Sequence, residues 1–163
     1  MHGDWYVDSR LPDLLSCEEL LTDPAELYLR QVTAAHSDGD VVYAPAFKPH
    51  VRPKGRQEST EERAERHKLS GARCSKLTPQ GAYAERQRIR PSAGTWGVSV
   101  TEVEAVYSRL VDDSGCPHPE GGTWPTGHTY LDQRHDDADL LDQLRMTLAG
   151  AASRRKRLYP PSE

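Results

Sequence analysis

The sequence predicts a small single domain of the α+β class, rich in helices, with a long Gly/Pro loop and a basic, partly mobile central segment. Three observations lead to this prediction. Helix-start signals recur along the chain, 163 residues suit one domain, and only 36% of them are hydrophobic. A mean hydropathy of −0.78 indicates a modest core that gains part of its order from a partner, a metal or an oligomer.

The first stretch, residues 1–47, is predicted to be an acidic helix-strand part of the core. Asp23-Pro24-Ala25-Glu26 joins a capping Asp to a Pro at the first helical position, which predicts a helix to about Ala35. A shorter helical piece is expected over residues 17–21, and a short strand over residues 41–44.

The second stretch, residues 48–90, is predicted to be a basic linker or arm. It carries twelve basic and five acidic side chains, whereas residues 1–47 carry two and nine, within a chain of net charge −4. Residues 59–69 could form an exposed helix, but they have almost no apolar face and should be marginal alone. Thr78-Pro79 predicts a second, short helix in this stretch.

The third stretch, residues 91–157, is predicted to be a helix-loop-helix part of the same domain, followed by a tail at 158–163. Ser99 and Glu102 form a capping box, and the apolar residues at i, i+3, i+4 and i+7 that follow predict a helix through Leu110. Residues 112–127 are predicted to be a long loop, residues 128–131 an extended piece, and the chain from Asp136 a final helix.

The basic segment points to a polyanionic partner. Guanidinium and ammonium groups contact phosphate backbones, and the residues predicted to do so are Arg52, Lys54, Arg56, Arg86, Arg88, Arg90 and Arg109. The same charges would suit an acidic protein surface. They could also form a solvated arm that is balanced by the acidic ends of the chain.

Tyr83 lies among the last of these arginines. An aromatic residue in a basic helix can stack on a base, but it more often docks the helix onto its own domain.

Residues 93–106 resemble the turn and second helix of a helix-turn-helix unit. Ala93, Gly97-Val98-Ser99, Val103 and Val106 have the spacing in which a small residue permits close packing, a glycine makes the turn and valines anchor the recognition helix. The resemblance is confined to this short stretch and implies a DNA-reading helix. An ordinary core helix is the alternative, since the outward face would carry two acids and one base.

A set of metal-binding residue types lies in and after the long loop. Cys116, His118, His128 and His135 are candidate zinc ligands, because thiolates and imidazoles suit tetrahedral zinc. Their spacing is not that of a standard zinc finger, and ordinary surface histidines are the alternative reading.

The order of Trp96-Gly97-Val98-Ser99, Cys116 and Asp132-Gln133-Arg134-His135 is similar to that in phage recombination endonucleases of the endonuclease VII type. The resemblance implies a metal-dependent nuclease in which Asp132 binds a cation such as Mg²⁺ or Zn²⁺ and His128 or His135 activates water. The chain departs from that family in lacking C-x-x-C pairs and the H-x-D-H motif.

The three cysteines lie far apart, so the sequence predicts no disulfide framework and a reducing, cytoplasmic location. No signal peptide or membrane-spanning run is evident, and no membrane partner is expected. The leading hypothesis is a non-enzymatic, nucleic-acid-associated protein, with homo-oligomerisation open. The alternatives are the metal-dependent nuclease and a protein-interaction module that binds an acidic partner.

Overall fold

The computed structural model describes residues 13–49, 67–133, 135 and 137–162. Within them the strands are β1 (Glu19–Leu20), β2 (Leu27–Val32), β3 (Ser37–Asp38), β4 (Val41–Val42), β5 (Lys68–Arg73), β6 (Gly94–Ser99), β7 (Arg109–Asp112) and β8 (His128–Asp132). The helices are α1 (Pro79–Gln87), α2 (Val100–Ala105) and α3 (Ala138–Arg155), with 3-10 turns at Ala34–His36 and Ala44–Phe47.

One antiparallel sheet forms the base of this fold. The described strands are ordered β1-β7-β8-β5-β2-β6, and a separate hairpin pairs β3 with β4. The α+β class is therefore correct, but the prediction of a helix-rich domain is wrong, because the fold is built on a six-stranded sheet and more of the buried hydrophobic residues lie in strands than in helices. All three predicted stretches of the chain contribute strands, and β5 from the basic stretch lies between β8 and β2.

The helix predicted over residues 23–35 is replaced by β2. Leu27–Val32 is paired on both sides, with β5 and with β6, so its backbone hydrogen bonds lie in the sheet. The apparent cap at Asp23 instead makes a turn, in which its carboxylate accepts from the backbone N–H of Ala25 at 3.0 Å. Residues 19–20 of the shorter predicted helix likewise form β1.

The helix that begins after Ser99 is shorter than predicted. Its capping box is present, with Ser99 Oγ accepting from Glu102 N and Glu102 Oε1 accepting from Ser99 N. The helix ends at Ala105, because Tyr107 takes a left-handed φ of 58° and turns the chain into β7. Leu110, the last residue of the predicted helical stripe, is therefore a buried strand residue.

Several local predictions are confirmed. Thr78 caps α1 through the N–H of Gly81, Asp137 caps α3, and residues 128–132 are extended. The long loop lies where it was predicted, between β7 and β8.

Helices pack on two sides of the sheet. The larger core lies on the α3 side, where Leu144 and Leu148 are buried with Tyr28, Trp96 and Leu131. The smaller core is formed by Leu29, Ala72 and Ala82 under α1. The C-terminal residues cover the outer edge of β6, since Thr95 and Tyr159 form an isolated bridge. This arrangement fixes α1 against β2 and β6, which positions its arginines.

Candidate functional site

The C-terminal end of α1 carries three arginines with helical spacing. The helix ends at Gln87, but the backbone N–H of Arg90 still donates to the carbonyl of Arg86 at 2.9 Å, which continues the helical turn. Residues 86, 89 and 90 are thus related as i, i+3 and i+4 and lie on one side of the helix. Arg88 and Arg90 are exposed, whereas Arg86 is half-buried.

Arg86 is a cation in an unfavourable environment. Its Nε is buried and has no hydrogen-bond acceptor among the residues that the structure describes. Burial lowers the pKa of the Arg86 guanidinium, and the positive charges of Arg30 and Arg90 lower it further. The three guanidiniums therefore lie close enough to repel one another, and an anion placed among them would relieve that repulsion.

Arg30 reaches this region from β2. Its Nε donates to the backbone carbonyl of Ala46 at 3.0 Å and its Nη1 donates to that of Ser70 at 2.9 Å. Both acceptors are neutral, so these bonds orient the guanidinium without cancelling its charge. Sequence reasoning missed Arg30 because it lies in a segment predicted to be a helix. Leu27–Val32 does not alternate polar and apolar residues, so its local pattern carries no clear signal of a strand.

We call Arg30, Arg86, Arg88 and Arg90 the arginine cluster. Within the part of the chain that the structure describes, no acidic side chain forms an ion pair with any of the four. Glu85 is the acid of α1, and it makes no such pair. The cluster is therefore locally electropositive although the whole chain carries a net charge of −4.

Other basic residues of the middle stretch are neutralised inside the fold. Arg73 donates two hydrogen bonds to Glu26, at 2.9 and 2.6 Å, and further bonds to Glu19 and Asp112 at 2.7 and 3.1 Å. Lys76 also bonds to Asp112, at 2.7 Å. We call these five residues the Arg73 network. Its hydrogen bonds connect β1, β5 and β7 with Glu26, the residue before β2. The charges therefore stabilise the sheet and are not available to a ligand.

The pKa values in this network have clear causes. The hydrogen bond with Glu26 raises the pKa of Arg73 although burial opposes the change. Burial alone would raise the pKa of Asp112, but hydrogen bonds from Lys76 and Ser114 lower it well below its usual range. The hydrogen bond from Arg73 likewise lowers the pKa of Glu26. Each ionised group thus stabilises its partners in the charged form.

The structure brings together only some of the predicted phosphate-binding residues. Arg86, Arg88 and Arg90 lie in the arginine cluster, while Arg52, Lys54 and Arg56 lie outside the described residues. Arg109 belongs to β7, three strands away from β2, and its Nε bonds to Asp132 Oδ2 at 3.1 Å. Arg109 is therefore paired and separate from the cluster.

The structure does not bring the predicted metal ligands together. The sulfur of Cys116 is bonded to that of Cys17, so it is not the thiolate that the zinc hypothesis requires. This disulfide also shows that the prediction of unpaired cysteines is wrong for these two. His118 and His128 contact Trp124, with ring centroids 4.3 and 4.0 Å from the indole.

The two histidines near Trp124 already use one ring nitrogen each. His128 Nδ1 lies 2.5 Å from Asp113 Oδ1, and His118 Nδ1 accepts from the backbone N–H of Glu120 at 3.1 Å. Asp132 lies four residues along β8 from His128, which separates their Cα atoms by roughly 13 Å. His135 follows beyond the end of that strand. Among the described residues, no three His, Cys, Asp or Glu side chains converge as a metal site.

Comparisons with protein-family models, with curated proteins and with solved structures give no significant match to this chain. The described helices include none with the length and apolarity needed to cross a bilayer. Function is therefore argued from the arrangement of these side chains alone.

Proposed function

We propose that this protein binds nucleic acid through its phosphate backbone and that the arginine cluster is the contact surface. The observation that carries the proposal is the half-buried Arg86, whose Nε has no acceptor and whose charged neighbours are also arginines. A phosphate beside the guanidinium supplies the missing negative charge. Arginine matches phosphate oxygens in a two-pronged geometry, and such bonds are stronger than those between neutral groups.

The dipole of α1 explains only part of this arrangement. Cations near the C-terminal end of a helix are stabilised by about 0.3–1 kcal/mol when exposed. That accounts for Arg88 and Arg90 on the surface. It does not account for a buried Nε without an acceptor or for a third arginine, Arg30, brought from a different strand.

The arrangement suits an extended polyanion better than a single small anion. Arg90 is exposed one turn from the half-buried Arg86, while the exposed Arg88 lies on another side of the helix end, so an extended chain of phosphates can contact more of these arginines than one small anion can. The divided metal ligands give the nuclease alternative no comparable support, and we propose binding without catalysis.

A salt series of fluorescence anisotropy titrations tests the proposal. Labelled duplex and single-stranded oligonucleotides are titrated from about 50 to 200 mM salt, where loss of phosphate contacts weakens binding steeply. The slope of log K against log salt should be about −0.9 for each phosphate contacted in a duplex. Arg90→Gln should make this slope shallower by about one and weaken binding to all sequences alike.

The matched control is Arg154→Gln, which removes an exposed arginine from the last turn of α3 instead of α1. It changes the net charge by the same amount and should leave binding unchanged. Absence of binding at about 50 mM salt, or equal losses in the two variants, would contradict the proposal. Binding to an acidic polypeptide but not to either oligonucleotide would favour the protein-interaction alternative.

A further inference from the structure

One highly exposed apolar side chain lies next to the arginine cluster, in the turn that follows α1. Ile89 is 75% exposed, the largest exposure among the large hydrophobic residues of the described chain. It lies seven residues after Ala82, which is buried in the smaller core, and therefore at nearly the same angle around α1. The apolar stripe of α1 thus continues past the region where the sheet covers it.

Two arginines lie beside this isoleucine on the same side of the helix. The hydrogen bond from Arg90 N to Arg86 O keeps the turn helical, so Arg86 and Arg90 both lie next to Ile89, to the same side of it around the helix axis. A surface with one aliphatic tip next to two cations is complementary to a base step next to its phosphates. Isoleucine is among the side chains that proteins insert as wedges into duplex DNA.

Stacking on a single unpaired base is a weaker match to this surface. Such platforms use aromatic rings. Tyr83, the aromatic residue of α1, packs edge-on against Tyr159 with ring centroids 5.3 Å apart, and its hydroxyl accepts from Gln87 at 3.0 Å. Tyr83 therefore docks the helix, which leaves the aliphatic Ile89 as the group that can reach a base.

We propose that Ile89 inserts between adjacent base pairs of duplex DNA while Arg86 and Arg90 contact phosphates next to the opened step. This inference rests on the proposed function and names its ligand class: a duplex with an easily unstacked step. Pyrimidine–purine steps such as TA open readily, whereas A-tracts are stiff. The protein should therefore prefer and bend a duplex with a central TA step.

Bending is measured by fluorescence energy transfer between dyes on the two ends of duplexes of about 20 base pairs. The full chain should bring the dyes closer on the TA duplex and have little effect on an A-tract duplex. Ile89→Ala should abolish the change in transfer and weaken TA binding by about tenfold, because it removes the wedge and keeps every charge. Met146→Ala is the matched control, since this residue of α3 is 65% exposed.

The outcomes separate this inference from the proposed function. If the protein binds the duplexes with a steep salt slope but does not bend them, the wedge is wrong and phosphate binding stands. If Ile89→Ala bends DNA like the unchanged chain, the wedge is also wrong. If anionic phospholipid vesicles bind while neither duplex does, Ile89 inserts into lipid and both proposals are overturned.

Discussion

Two partly buried arginines in this fold show how different the environment of the same residue can be. Arg73 lies among three carboxylates and donates a hydrogen bond to each of them, and its pKa is raised. Arg86 is half-buried beside two other arginines, has a buried Nε without an acceptor, and its pKa is lowered. A buried charge whose partner is present belongs to the architecture. A buried charge that has no partner among the described residues is the basis for the ligand that we propose.

Removing Arg73 should have the largest effect on stability. Arg73→Met leaves Glu26, which is only 6% exposed, without its cationic partner and removes one of the two cations beside Asp112, which is 3% exposed. We expect a loss of about 3–5 kcal/mol, because an uncompensated buried charge remains. Urea unfolding measures the loss. The control, Glu19→Gln, removes the exposed partner and should cost below about 1 kcal/mol.

Removing the disulfide should lower the free energy of unfolding by a similar amount, through a different mechanism. Cys17 and Cys116 are 99 residues apart in sequence and lie next to β1 and β7. The same two strands carry Glu19 and Asp112, which belong to the Arg73 network. Replacing both cysteines by serine should reduce unfolding free energy by about 2–4 kcal/mol, mainly by freeing the unfolded chain. Urea unfolding with and without a thiol reductant checks this, and the free Cys74→Ser variant should retain the response to reductant.

The Arg73 network should also make stability depend on pH in the acid range. The pKa values of Asp112 and Glu26 are lower in the folded chain than when unfolded, so the unfolded state binds more protons as pH falls. Their stabilisation should be present above about pH 4 and lost below it. Unfolding at several pH values measures the effect. An equal pH slope in Arg73→Met would contradict the assignment.

Removing Arg86 should have the smallest effect on stability, and in the opposite direction. Arg86→Met keeps a long side chain, while it removes a charge that repels Arg30 and Arg90. We expect the stability of the free protein to be unchanged or higher by up to about 1 kcal/mol. We expect its binding to a polyanion to be weaker. Urea unfolding and the anisotropy titration should be run on the same preparation. A loss of more than about 1 kcal/mol would indicate that Arg86 is structural.

The sequence predicted those parts of the fold that depend on local signals. Thr78-Pro79 before α1, the capping box at Ser99 and the cap of α3 act within one turn and are present. The helix predicted from the cap signal at Asp23 is absent, because pairing with β5 and β6 stabilises β2 more than a short helix would stabilise the same residues. Such pairing depends on residues far away in sequence.

The candidate site also has a part that local sequence predicts and a part that depends on distant residues. Local composition was enough to single out Arg86, Arg88 and Arg90. It could not show that Arg30 joins them, because that depends on which strand lies beside α1. It also counted Arg73 and Lys76 as free positive charge, although acids from the flanking stretches neutralise them across the sheet. The disulfide, which joins the beginning of the fold to the long loop, has no local signal at all.

The most direct test of the central claim observes both arginines in one experiment. In ¹⁵N-labelled protein, the Nε–H signals of Arg73 and Arg86 are assigned by substitution and followed while a DNA duplex is added. Arg73 Nε already donates to Glu26, whereas Arg86 Nε has no acceptor. The Arg86 signal should shift as a phosphate binds its guanidinium, and the Arg73 signal should stay in place. A duplex that binds while the Arg86 signal remains unchanged would contradict the account.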